Sequence, residues 1–366
     1  LLRGADPRRI LVLTYTAPAV QAMRERLAAV GIAPDVVAAL AVHTFEDFCL
    51  RLLRQIEGEA VPVLETPEQS APRVLQAIEA VFAAAAEDPH HEELFQGHSP
   101  QAMVEGLLAT MAHAKGRMLL EQLPEEWRPS PAQADELGMD YTSLRVLLAL
   151  ERLRLEAPGR DGVAAWRLPG DATYDLARLV GMAGVSEHEP PLAQGLGLVL
   201  VDEMHDTNRA MFEVLKAVLR ANPRTSFVGV GDRDQVIHTQ AGAEASFLGA
   251  DFRAEIAVPQ RLPLTTSYRF GAGLAASVGA LARKPYAADA ARDTAVVLLP
   301  AETRQVQATL VARLAQQARD AGQAAGLRIL LRHPAQSVRI EQALLSAGVS
   351  YRCSGFASFL QRSEVL

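Results

Sequence analysis

The stretch Leu198-Val199-Leu200-Val201-Asp202-Glu203 decides how the chain is read. Four apolar residues in succession suit a strand buried on both faces, the kind found in parallel sheets. Two carboxylates follow at its C-terminal end. In that position the first can hold magnesium against nucleotide phosphates, and the second can orient or deprotonate an attacking water. The same hexamer also fits a strand ending in a solvated acidic turn.

One helical stretch later, at residues 208–221, a second apolar run ends in a polar loop: Val228-Gly229-Val230-Gly231-Asp232-Arg233-Asp234-Gln235. In a parallel sheet the two strand ends lie side by side, so Gln235 can reach a terminal phosphate or its water. An ordinary Gly-Asp turn is the competing reading.

Upstream the same rhythm holds. Ile10 to Thr14 reads as a short buried strand, and residues 17–30 as a helix with apolar Val20, Met23 and Leu27 on one face. Residues 36–42 read as another strand and 44–55 as a helix, with Thr44 placed to cap it and Asp47 to reach back.

Between about residues 57 and 191 strand signals vanish. Alanine-rich, proline-punctuated stretches at 71–86, 100–122 and 141–156 have helical period, so an all-helical insertion is expected. The adjacent pair His90-His91 has no spaced partner and reads as solvated loop. Beyond a helix at 271–282, strands at 295–299 and 327–331 alternate with helices at 302–321 and 335–346, predicting a second α/β unit.

Composition narrows the class. The 366 residues suffice for two or three packed domains. No apolar run approaches the roughly 18 residues of a membrane span, so no membrane role is expected. Cys49 and Cys353 lie far apart, give no disulfide framework and point to the cytoplasm. A net charge of −7 excludes a protein that coats nucleic acid through global basicity and leaves room only for a local basic stripe. Cations are almost all arginine; the lysines are Lys115, Lys216 and Lys284. The chain begins at Leu1 rather than Met, which reads as an interior cut of a longer protein.

Taken in order, these segments resemble the UvrD/Rep family of superfamily 1 DNA helicases. Val201-Asp202-Glu203-Met204-His205-Asp206-Thr207-Asn208 looks like that family's Walker B motif. Residues 230–238, with Gly242-Ala243, look like its motif III, and Leu264-Thr265-Thr266-Ser267-Tyr268-Arg269 is similar to its motif IV. Leu13-Thr14-Tyr15-Thr16 through Met23 resembles motif Ia, and Thr44-Phe45 through Arg51 resembles motif Ib. Arg332 through Glu341, Gly348 to Tyr351 and the run Gly355, Phe359, Arg362, Glu364 look like the start of a second motor domain.

The resemblance implies an α/β fold of P-loop NTPase (RecA-like) type, with two lobes of parallel sheet. Residues 1–56 and 192–284 would form lobe 1A, 57–191 a helical 1B-type subdomain, and 285–366 the start of lobe 2A. ATP and Mg2+ are the implied cofactors. Asp202 would hold the metal with Glu203, and Glu203 would activate water. Gln235 and Arg269 would contact the γ-phosphate, and Tyr268 would stack on the adenine. Tyr15, Thr16, Thr44, Phe45 and His238 would lie along single-stranded or partly duplex DNA; for Tyr15 and Phe45, core packing is the competing role. Repair or recombination proteins are the expected partners.

The sequence also departs from the family. The 366 residues contain no Gly-x-x-x-x-Gly-Lys-Ser/Thr stretch, and the family's motifs V and VI are not among them. Ala17-Pro18 replaces Asn-Lys, and His205 stands where the family has Gln. His238 replaces a base-stacking Tyr, Gln240 an aromatic and Ala241 an Arg. The expected activity is ATP-driven 3′–5′ movement on single-stranded DNA, here as a partial motor that is inactive alone. A non-catalytic DNA-binding or partner-docking module and a P-loop ATPase with another substrate are the competing readings.

Overall fold

The computed structural model describes residues 5–58, 60–95, 100–123, 128–156, 163–183, 193–289, 291–354 and 358. The elements, in chain order, are β1 (Ile10–Thr14), α1 (Ala17–Ala29), α2 (Pro34–Ala39), β2 (Ala41–Thr44) and α3 (Phe45–Glu57). Next come α4 (Pro67–Ala83), α5 (Pro100–Gly116), α6 (Pro131–Glu136), α7 (Tyr141–Leu155) and α8 (Asp171–Ala183). Then follow β3 (Leu198–Val201), α9 (Arg209–Ala221), β4 (Ser226–Gly229), α10 (Ala250–Glu255) and β5 (Thr266–Ser267). The remaining elements are α11 (Ala272–Ala282), β6 (Ala287–Ala288), α12 (Arg304–Asp320) and α13 (Ser337–Ser346). The chain divides into two compact units, Leu1–Leu262 and Pro263–Leu366. That division falls at 262, not at the expected 284.

In the first unit four strands form one parallel sheet in the order β2-β1-β3-β4. Side chains alternate across a strand, and the sequence uses this to build two cores. Leu11, Leu13, Val199 and Val201 face α3, α8 and α9 in one cluster. Ile10, Val12 and Val42 face the other way, where Val20, Met23 and Leu27 of α1 cover them as predicted. β1 is buried along its whole length. β3 is buried on one face and only half-buried on the other, and β4 is mostly exposed. This differs from the expectation of full burial for both; β4 ends the sheet order, and a peripheral strand has fewer neighbours to cover it.

The run 36–42 is a second departure from expectation. Pro34–Ala39 is helical, and the strand begins only at Ala41. Proline at the first helical position has its φ already set for a helix, and this outweighs the β-preference of Val36-Val37.

The expected helical stretch is present, with a core of its own built from α4, α5, α6 and α7, including Leu107, Met111, Leu144 and Leu147, joined by Trp166 from the segment before α8. α8, which the periodicity does not reveal, packs instead with α3 and α9 in the core beneath the sheet, through Ala172, Leu176 and Ala177. Its N-terminus is held by Glu46 of α3, whose carboxylate accepts from the Ala172 and Thr173 amides at 3.1 Å each. A carboxylate there satisfies orphan N–H groups and complements the helix dipole.

In the second unit β5 and β6 pair in parallel, and α12 packs on α13 through Ala308, Ala312, Ile340 and Leu344. The runs 295–299 and 327–331 are not strands, contrary to the expectation from sequence; Leu298 and Leu330 are about nine-tenths exposed. An apolar run forms a strand only when a neighbour offers complementary N–H and C=O groups, and among the described residues no ladder pairs with either. The run Gly355 to Glu364, apart from Ser358, lies outside the described residues.

Candidate nucleotide and nucleic-acid site

Parallel pairing brings the strand ends of the first unit to one edge of the sheet. Thr14 is in register with Thr44, Leu13 with Val201, and Val201 with Gly229. The loops after β1, β2, β3 and β4 therefore emerge together, as the strand–helix alternation requires.

The β3 loop carries the two carboxylates. The Asp202 amide donates to Leu13 O at 3.0 Å, extending the ladder by one bond, and Asp202 Oδ1 accepts from the Glu203 amide at 3.1 Å. Glu203 sits at φ +49°, in the left-handed region, with its side chain half exposed. A non-glycine residue there is held against roughly 1 kcal/mol of backbone strain, and such strain concentrates at functional sites. The Met204 amide donates to Val230 O at 2.7 Å, which helps hold the turn in place.

His205 connects this loop to the next. It is buried, and its Nδ1 lies 3.2 Å from the Asp232 amide, which donates to it. That contact assigns the proton of a neutral imidazole to Nε2. The same Nδ1 is 3.5 Å from a Glu203 carboxylate oxygen. Asp232 in turn accepts from Gln235 Nε2 at 2.9 Å, so contacts run from Glu203 through His205 to the Asp232–Gln235 turn. From sequence His205 stands out only as a departure from the family; its bridging role depends on β3 and β4 being neighbours.

Magnesium commonly takes one or two carboxylates, with phosphates and waters completing an octahedron. Asp202 and Glu203 fit that half-site. Among the described residues no group of three His, Cys, Asp or Glu side chains could hold a metal without such help. Asp206 Oδ1, just beyond, is buried, has no hydrogen-bond partner among the described residues and lies 3.9 Å from His205 Nε2.

The β1 and β2 loops carry the residues expected to meet nucleic acid. Thr16 caps α1 by accepting from the Ala19 amide at 3.3 Å, and Thr44 caps α3 by accepting from the Asp47 amide at 3.0 Å. A capping oxygen leaves its own O–H available to a phosphate. Phe45 does not fit its expected place: it is 1% exposed, 5.4 Å from the Tyr15 ring and part of the main core. It is a packing residue, because the first residue of α3 points under the sheet. Tyr15 is half-buried, and its hydroxyl is 2.5 Å from Thr207 Oγ1. Burial pushes its phenol far above the ordinary value, outweighing the Thr207 hydrogen bond. Its main visible role is therefore to tie β1 to the β3 loop. Gln235 and His238 are exposed.

Tyr268 and Arg269 belong to the second unit, just after β5. Tyr268 is 69% exposed, and the Arg269 amide donates to Ser267 Oγ at 3.2 Å, leaving the guanidinium exposed.

Comparison with known proteins bears on the family. A family profile described as an AAA domain matches residues 1–241. The ATP-dependent DNA helicase PcrA of Leuconostoc citreum is 24% identical over 377 residues, covering 98% of this chain and 45% of the relative. DNA helicase IV of Escherichia coli K12 is 26% identical over 286 residues, 74% of this chain and 40% of the relative. The ATP-dependent DNA helicase UvrD2 of Mycobacterium tuberculosis H37Rv is 26% identical over 383 residues, 98% of this chain and half of the relative. The chain thus spans about half the length of the curated relatives it matches. The profile match over residues 1–241 shows that the chain belongs to the AAA domain family, and the relatives it resembles are helicases of the PcrA and UvrD type.

Proposed function

We propose that this chain forms part of an ATP-dependent 3′–5′ DNA translocase or helicase that grips single-stranded DNA. The observation that supports it most is the linked set Asp202-Glu203, His205 and Asp232–Gln235 at the end of a parallel sheet, with Glu203 in the left-handed region. Bound magnesium would neutralise phosphate charge, with Asp202 and Glu203 as its protein ligands. Glu203 would also orient the attacking water and accept its proton, and Gln235 would align the γ-phosphate from the neighbouring loop. Arg269 would meet developing charge on the transferred phosphoryl group, and Tyr268 would stack on the adenine. Thr16 and Thr44, each capping a helix at the same sheet edge, would donate to DNA phosphates, with Tyr15 and His238 beside the strand.

A cytoplasmic role in repair or recombination, alongside protein partners, follows from this reading. Among the described residues no helix is long and apolar enough to cross a membrane. The proposed domain roles are a RecA-like lobe 1A at residues 1–56 and 192–284, a 1B-type subdomain at 57–191 and the start of lobe 2A at 285–366.

The deciding experiment is ATP hydrolysis by the full-length protein with and without single-stranded DNA. Stimulation that Glu203→Gln removes while DNA binding persists supports the motor. DNA binding without hydrolysis supports the non-catalytic module, a reading that His238, Gln240 and Ala241 at the motif III positions allow.

A further inference from the structure

The C-terminal end of α5 is fastened on two sides at once. On one side Lys115, almost fully buried, is paired with Asp171 of α8 and, at 2.5 Å, with Glu151 of α7. Arg154 continues the network to Asp175 at 2.7 Å, and Arg167 links Asp175 at 2.8 Å with Glu57 of α3. Breaking one partner of such a buried set leaves an uncompensated charge, so the set holds α5, α7 and α8 in one register.

On the other side, the next residue is Gly116. A methyl group on it would overlap the Ala241 carbonyl oxygen, and would lie 3.0 Å from Asn208 Nδ2 and 3.1 Å from the Ala241 carbonyl carbon. Backbone is therefore in direct contact with backbone. Asn208 Nδ2 donates to that same Ala241 oxygen at 3.3 Å, while Asn208 Oδ1 caps α9 by accepting from the Met211 amide at 3.0 Å. Arg117, one residue on, is 3.4 Å from Glu244, whose amide donates to Thr207 O at 3.3 Å. Gly242, at φ +84°, has no room for a side chain beside Arg117 Cγ. Three segments meet here: the end of the helical layer, the stretch 238–244 that follows Gln235, and residues 207–208 that follow Asp202-Glu203.

We infer that Gly116 is a positioning residue: it seats the helical layer on the two loops that carry Glu203 and Gln235, and so sets their geometry for turnover. The inference rests on the hydrolytic reading of those two side chains. Lys115 supplies the rigid anchor and Gly116 the close contact. Displacement of the Ala241 carbonyl by the width of a methyl reaches Gln235 through 238–241 and reaches Glu203 through Asn208. Misplacement of about 1 Å at a catalytic constellation can lower turnover on the order of 100-fold, whereas affinity set elsewhere is untouched.

Gly116→Ala tests this in the full-length protein, with Gly181→Ala as control because a methyl there meets nothing within 4 Å. Hydrogen exchange is read at 203–208 and 236–244. The expected result is that both segments lose protection together, by about tenfold, in Gly116→Ala and not in Gly181→Ala. DNA-stimulated kcat is expected to fall on the order of 10- to 100-fold, with KM for ATP and DNA affinity within about twofold. Arg117→Gln, at the half-exposed edge of the junction, gives a weaker change in the same direction and is the variant to use if Gly116→Ala does not fold.

Exchange that changes only within α5, or an unaltered kcat in a variant whose parent hydrolyses ATP, overturns the inference. A parent with no ATPase activity at all overturns the hydrolytic reading instead, and the exchange result then shows whether the junction exists as a packing unit.

Discussion

The Tyr15 hydroxyl lies 2.5 Å from Thr207 Oγ1, joining the end of β1 to the loop that follows Asp202-Glu203. Tyr15→Phe deletes this bond and leaves the Thr207 hydroxyl, itself buried, without its partner. A loss of about 1–2 kcal/mol in stability is expected, read as a lower denaturant midpoint at unchanged m-value. If the pair also relays DNA occupancy to hydrolysis, DNA stimulation of the ATPase will fall by more than the basal rate does.

Glu203 offers a separation of stability from function. Its φ of +49° suits glycine and strains any other residue. Glu203→Gly is expected to stabilise the first unit by about 0.5–1 kcal/mol while removing hydrolysis, and Glu203→Ala to remove hydrolysis without that gain. Thermal melts beside ATPase assays check both; a destabilised glycine variant would show that the conformation is not strained.

The buried network makes an acid-sensitive prediction. Burial alone would raise Asp175 and Glu151, but neighbouring cations outweigh it: Arg154 first for Asp175, and Lys115 first for Glu151. Both end below the ordinary carboxylate value. A depressed folded-state pKa means stability is fully present above the unfolded value, near pH 4, and is lost as pH falls through the folded one. Asp171 shifts the opposite way, raised chiefly by burial, so its own ionisation works against the fold as pH rises. Asp175→Asn is expected to cost about 3–5 kcal/mol at neutral pH and to flatten the acid limb of the stability curve. Denaturant titrations between about pH 3 and 7 measure both effects.

His238 is exposed where the family carries a stacking tyrosine. His238→Tyr is expected to tighten single-stranded DNA binding by about 1–3 kcal/mol without changing its salt slope, because stacking adds no phosphate contact. Fluorescence anisotropy across a salt series distinguishes this from a charge effect. An unchanged affinity would remove His238 from the DNA path.

Much of the site is legible in the amino-acid sequence because its signals are local. Apolar runs ending in Asp202-Glu203 and in Gly231 to Gln235, with helices between, force parallel pairing, and parallel pairing puts those ends at one edge. The capping role of Thr44 is equally local. Local signals also fail. Phe45 next to Thr44 is as suited to a base as to a core. The strand expected at 36–42 is displaced by a proline-started helix, and 295–299 has the composition of a strand without a ladder to join. Lys115 is one visible clue to the hidden network, since a lone lysine in an apolar helical stretch needs a buried partner.

By itself, then, the sequence determined the alternation of strand and helix around β1, β3 and β4, the two carboxylates at a strand end and the family pattern, all properties of periodicity and neighbouring residues. Only the tertiary structure decided that Glu203 is left-handed, that His205 accepts from Asp232, that Tyr15 is tied to Thr207 and that Gly116 abuts Ala241. The three contacts among these join residues from tens to nearly two hundred positions apart. They depend on which polar groups meet once the apolar faces have packed, and that choice is made by the whole core.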